Sequence, residues 1–150
     1  MAAEIWFYHL EQASPDSVLP DLLEKTRARG WKALVVSPDE DRLKQLDMAL
    51  WTERAESFLP HGLASEAHAE RQPILLSSVQ EPVNGAECLF LLDGELPTDP
   101  DAFTRTLLLF DGHDEQAIQA ARGLWKTSAA AGHTISYWKQ SETGRWEKKA

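Results

Sequence analysis

The chain is poor in glycine, with eight residues in 150, and none of it is gathered into a phosphate-binding loop. Neither G-x-G-x-x-G nor G-x-x-x-x-G-K-[ST] occurs, so the backbone cradle that a nucleotide's phosphates need is missing. Cysteine is limited to Cys88, which excludes an internal disulfide. Placed inside the apolar run ECLFLL, it reads as a buried structural thiol. No apolar run approaches the roughly 20 residues that cross a bilayer. The opening MAAEIWFYHL carries an acid where a signal peptide carries basic residues, so a cytoplasmic protein is expected. Cations are scarce too: 15 Lys and Arg stand against 24 Asp and Glu, a net charge of −9. Such a body repels a polyanion, which disfavours a non-specific grip on DNA phosphates but leaves room for a local basic patch.

What is present is an alternation of short apolar runs and helical patterns. Residues EIWFYH (4–9) are aromatic-rich and short, as a strand requires. SVLPDLLEKTRARG then predicts a helix closed by Gly30, and WKALVVS predicts a strand covered on both faces. Ser37-Pro38-Asp39-Glu40 reads as a capping box with Ser37 at the N-cap and Glu40 answering it. The helix it opens carries Leu43, Leu46 and Leu50 on one stripe. Residues 59–72 lack a period and read as loop with a short helical turn. PILLSS and ECLFLLDG predict buried strands separated by turn residues Pro82, Asn84 and Gly85. A short helix at Pro100, a strand TLLLFDG, a long helix Asp114–Ala131 stopped by Gly132, and HTISYWKQ turning through SETG into RWEKKA complete the pattern. The expected class is α/β: one domain over 1–150, a three-layer sandwich with a mostly parallel sheet and helices on both faces. It is Rossmann-like without a nucleotide-binding loop, and the final hairpin adds an antiparallel edge.

Sites for chemistry are sparse. His61 and His68 flank Glu66, but seven residues apart in an irregular segment they lack the paired spacing of a metal centre and read as loop histidines. The acids of PDED and PTDPD read as helix starts, and His113 as loop and cap chemistry. No G-x-S-x-G elbow occurs, and Cys88 has no evident base. No cofactor, metal or catalytic residue is therefore assigned. Binding features are clearer. On the helix Asp114–Ala131, at about 100° per residue, Ala117, Ala120, Ala121, Leu124 and Ala131 make a thin core face. Arg122 and Lys126 lie opposite as neighbours, with Trp125 at the stripe's edge. This is either a solvated basic face with Trp125 tucked beneath it, or a cationic platform for a peptide carboxylate. The stretch LWTERAESFLPHG raises a similar choice: Trp51, Phe58 and Leu59 either fold back onto the sheet or are displayed to a partner.

The segments FYHL, LDMALWTERAESFLPHG and AARGLWKTSAAAGHTISYWKQSETGRWEKKA together resemble the chi subunit family of bacterial DNA polymerase III. The similarity runs over nearly the whole chain, and between residues 64 and 110 it is mainly one of pattern. The resemblance implies an α/β fold without nucleotide chemistry and a non-enzymatic bridge within the replisome. One surface would take the acidic, phenylalanine-ended C-terminal tail of single-stranded DNA-binding protein. Another would hold the psi subunit, leading to the clamp loader, or alternatively a helicase-like protein. Carried over by position, Arg122 and Lys126 match the tail-binding cations and Trp125 the aromatic beside them. Trp51 and Phe58 match the aromatic pair of the psi-facing surface. Ile118 and Ala129 stand where other members carry basic residues, which implies weaker tail binding; Arg145, Lys148 and Lys149 offer compensation. A small α/β enzyme with an unrecognised active site is the alternative from another class. Direct binding of single-stranded DNA is disfavoured because the sequence shows no continuous basic groove.

Overall fold

The computed structural model describes residues 3–10, 15–52, 61–64, 69–92, 96–140 and 146–148. Among the described residues eight strands form one sheet: β1 (Glu4–Leu10), β2 (Ala33–Val36), β3 (Gly62–Leu63), β4 (Ile74–Ser77), β5 (Cys88–Leu91), β6 (Arg105–Asp111), β7 (Thr134–Gln140) and β8 (Trp146–Lys148). The α-helices among these residues are α1 (Pro15–Ala28), α2 (Glu40–Thr52) and α3 (Glu115–Ala130). Short 3-10 turns lie at Ala69–Arg71 and Pro100–Ala102. The spatial order is β3-β4-β2-β5-β6-β1-β7-β8. All pairs are parallel except β7 with β8, which close as the expected antiparallel hairpin.

The central strands are apolar at every position because both of their faces are covered. All four residues of β2, ALVV, and all four of β5, CLFL, are buried. Two core clusters result, one on each side of the sheet. The first gathers Leu19, Leu22 and Leu23 of α1 and Leu43, Leu46 and Leu50 of α2 over Val35, Leu76, Phe90 and Leu109. The second sets Ala121 of α3 against Ile5, Phe7, Leu108 and Phe110. Strand β1 runs between them, with Phe7 in the second cluster and Tyr8 in the first.

Helix ends obey local chemistry. Both α1 and α3 stop in the same way, with a glycine whose φ is positive: Gly30 at 80° and Gly132 at 84°. At α1 the N–H groups of Gly30 and Trp31 bond back to the carbonyls of Arg27 and Thr26. At α3, Gly132 and His133 do the same to Ala129 and Ser128, so only a residue without Cβ penalty fits the turn. The start of α2 differs from the capping box read in the sequence. Ser37 is fully buried, and its N–H bonds the carbonyl of Ser77 at 3.2 Å, extending the ladder beyond β2. A residue before proline is held extended, so the helix begins later and Asp39 is the cap. Its Oδ1 accepts from the N–H of Asp41 at 3.0 Å and of Arg42 at 3.5 Å. Ser37 Oγ instead accepts from Asp39 N–H at 3.3 Å, and Glu40 accepts from the Ser78 hydroxyl at 3.5 Å. Strand β3 is a second difference, since a two-residue strand held by β4 has no pattern of its own to read.

Candidate functional site

Helix α3 lies against β6 and β7, held at its start by Asp114, whose Oδ1 accepts from the N–H of Gln116 at 3.0 Å and Ala117 at 3.5 Å. That carboxylate occupies the place a phosphate would take at a nucleotide-binding helix. At the neighbouring strand ends, Gly112 N–H bonds Leu10 O at 2.7 Å, tying β6 to β1. The acidic cap and this closure agree with the missing glycine motifs.

The inward side of α3 is Ala121 and Ser128, both buried, with Ala117, Ile118, Leu124 and Trp125 half-buried around them. Ala131 is exposed, because the helix has already turned into its cap there. Arg122 and Lys126 are exposed, and among the described residues neither makes an ion pair. Taking about 100° per residue, Ile118 and Trp125 fall within about 60° of Arg122 on one flank, and Lys126 within about 40° on the other. Ile118 is therefore more than a lost cation: it continues the apolar flank begun by Trp125, and both pack on the second core cluster.

Trp125 owes its place to residues far away in sequence. Its ring lies 5.4 Å from Phe7 and 6.1 Å from Tyr137, centroid to centroid, and Phe7 stacks on Tyr137 at 6.2 Å. Tyr137 is fixed in turn by a 2.6 Å bond between its hydroxyl and His9 Nδ1. Of the two readings of this helix, the tucked indole is correct for Trp125, and the exposed cations keep the platform reading open. Neither Phe7 nor Tyr137 carries a local signal for this role; only the parallel pairing of β1 with β7 brings them beneath α3.

The other sequence-derived surface is described in part. Trp51 belongs to the last turn of α2, its side chain outside the described residues, and Phe58 lies outside them altogether, as do Arg145 and Lys149. Two side chains on or against α2 are described. Met48, one turn before Trp51, is 63% exposed. His61 is buried, with Nε2 3.1 Å from both the carbonyl and the carboxylate of Asp47. His61 is thus an anchor to α2 rather than a solvated loop histidine; His68 lies outside the described residues. No trio of His, Cys, Asp or Glu among the described residues is arranged to hold a metal. A cleft of about 230 Å³ opens at the carboxyl end of β4, lined by Glu40, Lys44, Leu63, Ser77 and Val79 among others. It is smaller than the ~300 Å³ at which small-molecule sites begin, and no site residue read from the sequence lines it.

Burial keeps two acids neutral. The Cys88 thiol is pushed up to about 12, chiefly by burial, and the Tyr8 phenol is raised for the same reason. A thiol so held is no nucleophile at neutral pH. Among the described residues, no helix is long and apolar enough to cross a membrane.

Against known proteins, the family described as DNA polymerase III chi subunit, HolC, matches residues 2–136. A DNA polymerase III subunit chi from Pseudomonas aeruginosa is 33% identical over 133 residues, covering 86% of this chain and 91% of the relative. One from Escherichia coli is 28% identical over 125 residues, covering 80% and 84%. A probable subunit chi from Rickettsia prowazekii is 28% identical over 78 residues, or 52% and 46%.

Proposed function

Because the chain belongs to the DNA polymerase III chi subunit family, we propose that this replication accessory subunit is a non-catalytic bridge, taking the acidic C-terminal tail of single-stranded DNA-binding protein on α3. The observation that carries this reading is Arg122: exposed, without an ion-pair partner among the described residues, and flanked by Ile118 and Trp125. The tail's terminal carboxylate pairs with the guanidinium, whose fork matches it in two bonds. Its last phenyl ring packs on the Ile118–Trp125 flank, and Lys126 draws the acids that precede it. A polyanion that spreads over the body meets repulsion from its charge of −9, whereas a short tail touches only this patch. The second half of the bridge falls to Trp51 and Phe58, which dock the psi subunit or, in its place, a helicase-like protein.

The test is a titration with a synthetic acidic peptide ending in phenylalanine. Arg122→Ala removes a charge-assisted pair worth about 1.5–3 kcal/mol, an expected loss of roughly ten- to a hundredfold. Binding weakens as salt rises. An Arg122→Ala protein that binds as tightly as the wild type overturns the assignment. In the same format, Trp51→Ala is expected to release psi while leaving the tail peptide bound.

A further inference from the structure

Four of the six tryptophans, Trp6, Trp31, Trp138 and Trp146, pack half-buried on the first core cluster, on the side of the sheet opposite α3. Three of them tile neighbouring strands. Trp6 on β1 lies 5.8 Å from Trp138 on β7, Tyr8 stacks on Trp138 at 6.3 Å and 10°, and Trp146 on β8 meets Tyr8 edge-on at 5.0 Å. Cations are interleaved with the rings. The Arg105 guanidinium sits 3.9 Å above Trp6 and 5.1 Å from Trp31, and that of Arg29 sits 4.5 Å above Trp31. Among the described residues Arg105 is hydrogen-bonded through Nε alone, to Glu4 at 2.8 Å, and its side chain, 13% exposed, is fixed between the two indoles. KTRARGWK, ending beside Trp31, carries Lys25, Arg27, Arg29 and Lys32 with no acid between them, the densest basic stretch in a chain of net charge −9. Lys25 and Arg29 are exposed, and Lys148, paired across from Trp138, extends the charge to β8.

From this arrangement we propose that the band Arg29–Trp31–Arg105–Trp6–Trp138–Trp146 is a contact site for single-stranded DNA, with bases laid on Trp138 and Trp146, phosphates met by Arg29 and Lys25, and Arg105 bracing Trp6 and Trp31. Repeated planar rings suit a ligand that is itself a repeat of planar rings, and every base offers a π-face to stack. A duplex hides those faces. An acidic peptide supplies charge but not a succession of flat groups. The acidic body confines the strand to this band and makes binding short-ranged and salt-sensitive. The matched family span ends at residue 136, so Trp138, Trp146 and Lys148 fall beyond it. The proposal does not rest on the tail site, which lies on the other side of the sheet.

The experiment is fluorescence anisotropy of a labelled oligothymidylate with full-length protein at low salt, repeated with a duplex and with the tail peptide. Saturable binding is expected to the single strand and not to the duplex. Arg29→Glu, a surface change that leaves the core intact, is expected to lose tenfold or more, and Trp146→Ala on the order of tenfold. Arg122→Ala should bind the oligonucleotide like the wild type while losing the peptide, and Arg29→Glu should do the reverse. Absence of binding at low salt overturns the proposal, as does an Arg29→Glu protein that binds undiminished. Equal binding of duplex would reduce the band to plain charge attraction. Tail-peptide affinity that depends on Arg29 would assign the band to an acidic peptide instead.

Discussion

Gly123 stands between Arg122 and Leu124 in the middle of α3, exposed, and a Cβ added there meets nothing within 4 Å. Its φ is not positive, so no turn requires a glycine. A helix-interior glycine costs about 0.5–1 kcal/mol relative to alanine. Gly123→Ala is therefore expected to raise unfolding stability by about that amount, measured by urea denaturation. A gain below a few tenths of a kcal/mol would mean that something other than propensity holds this backbone. Arg122 itself was legible because a single helix carries the whole pattern: positions 122 and 126 are neighbours whatever the helix packs on. Trp125 was legible only by half. Its position at the edge of the stripe follows from the helical period, but the aromatics that fix it come from β1 and β7.

At the scale of elements, continuous apolar runs announced β2 and β5, and the SETG turn announced the hairpin with β8. Strand β3 was hidden, being two residues long and defined by its pairing with β4. The α2 start shows how tertiary context redirects a local signal. Ser, Pro and Glu were spaced for a capping box, but Ser37 is committed to the ladder with Ser77, so Asp39 takes the cap. Asp39→Ala is expected to lower stability by about 1 kcal/mol, the usual cost of an N-cap carboxylate. Glu40→Ala, which removes one long bond from Ser78, is expected to cost clearly less. Equal losses in thermal unfolding would return the cap to the motif as first read.

For the molecule as a whole, the two-sided sheet was legible and the distribution of its tryptophans was not. A band spread over β6, β1, β7 and β8 exists only once the strand order is known, since Arg105 and Trp6 are 99 positions apart and β1 enters between β6 and β7. The same central burial sets a pH limit on stability. Folded Cys88 keeps its proton up to about 12, where an unfolded thiol loses it near 9.0. Its contribution is thus complete below pH 9 and drains away as pH climbs from about 9 to 12, where the unfolded chain binds fewer protons than the native one. Tyr8 adds to the decline in the same direction. Thermal unfolding followed across that range should show the midpoint fall, with a shallower slope for Cys88→Ala; parallel slopes would separate the alkaline limb from the thiol.

Strand β1 carries consecutive residues to opposite destinations: Phe7 is the floor under Trp125, and Tyr8 is the cross-strand neighbour of Trp138. Side chains alternate with a period of two, so adding or deleting one residue ahead of this pair would send each ring to the other's side. The proposed tail capture and strand contact would then fail together, although neither Arg122 nor Arg29 had been touched. One seven-residue segment thereby ties two otherwise separate surfaces to a single reading frame of the sheet.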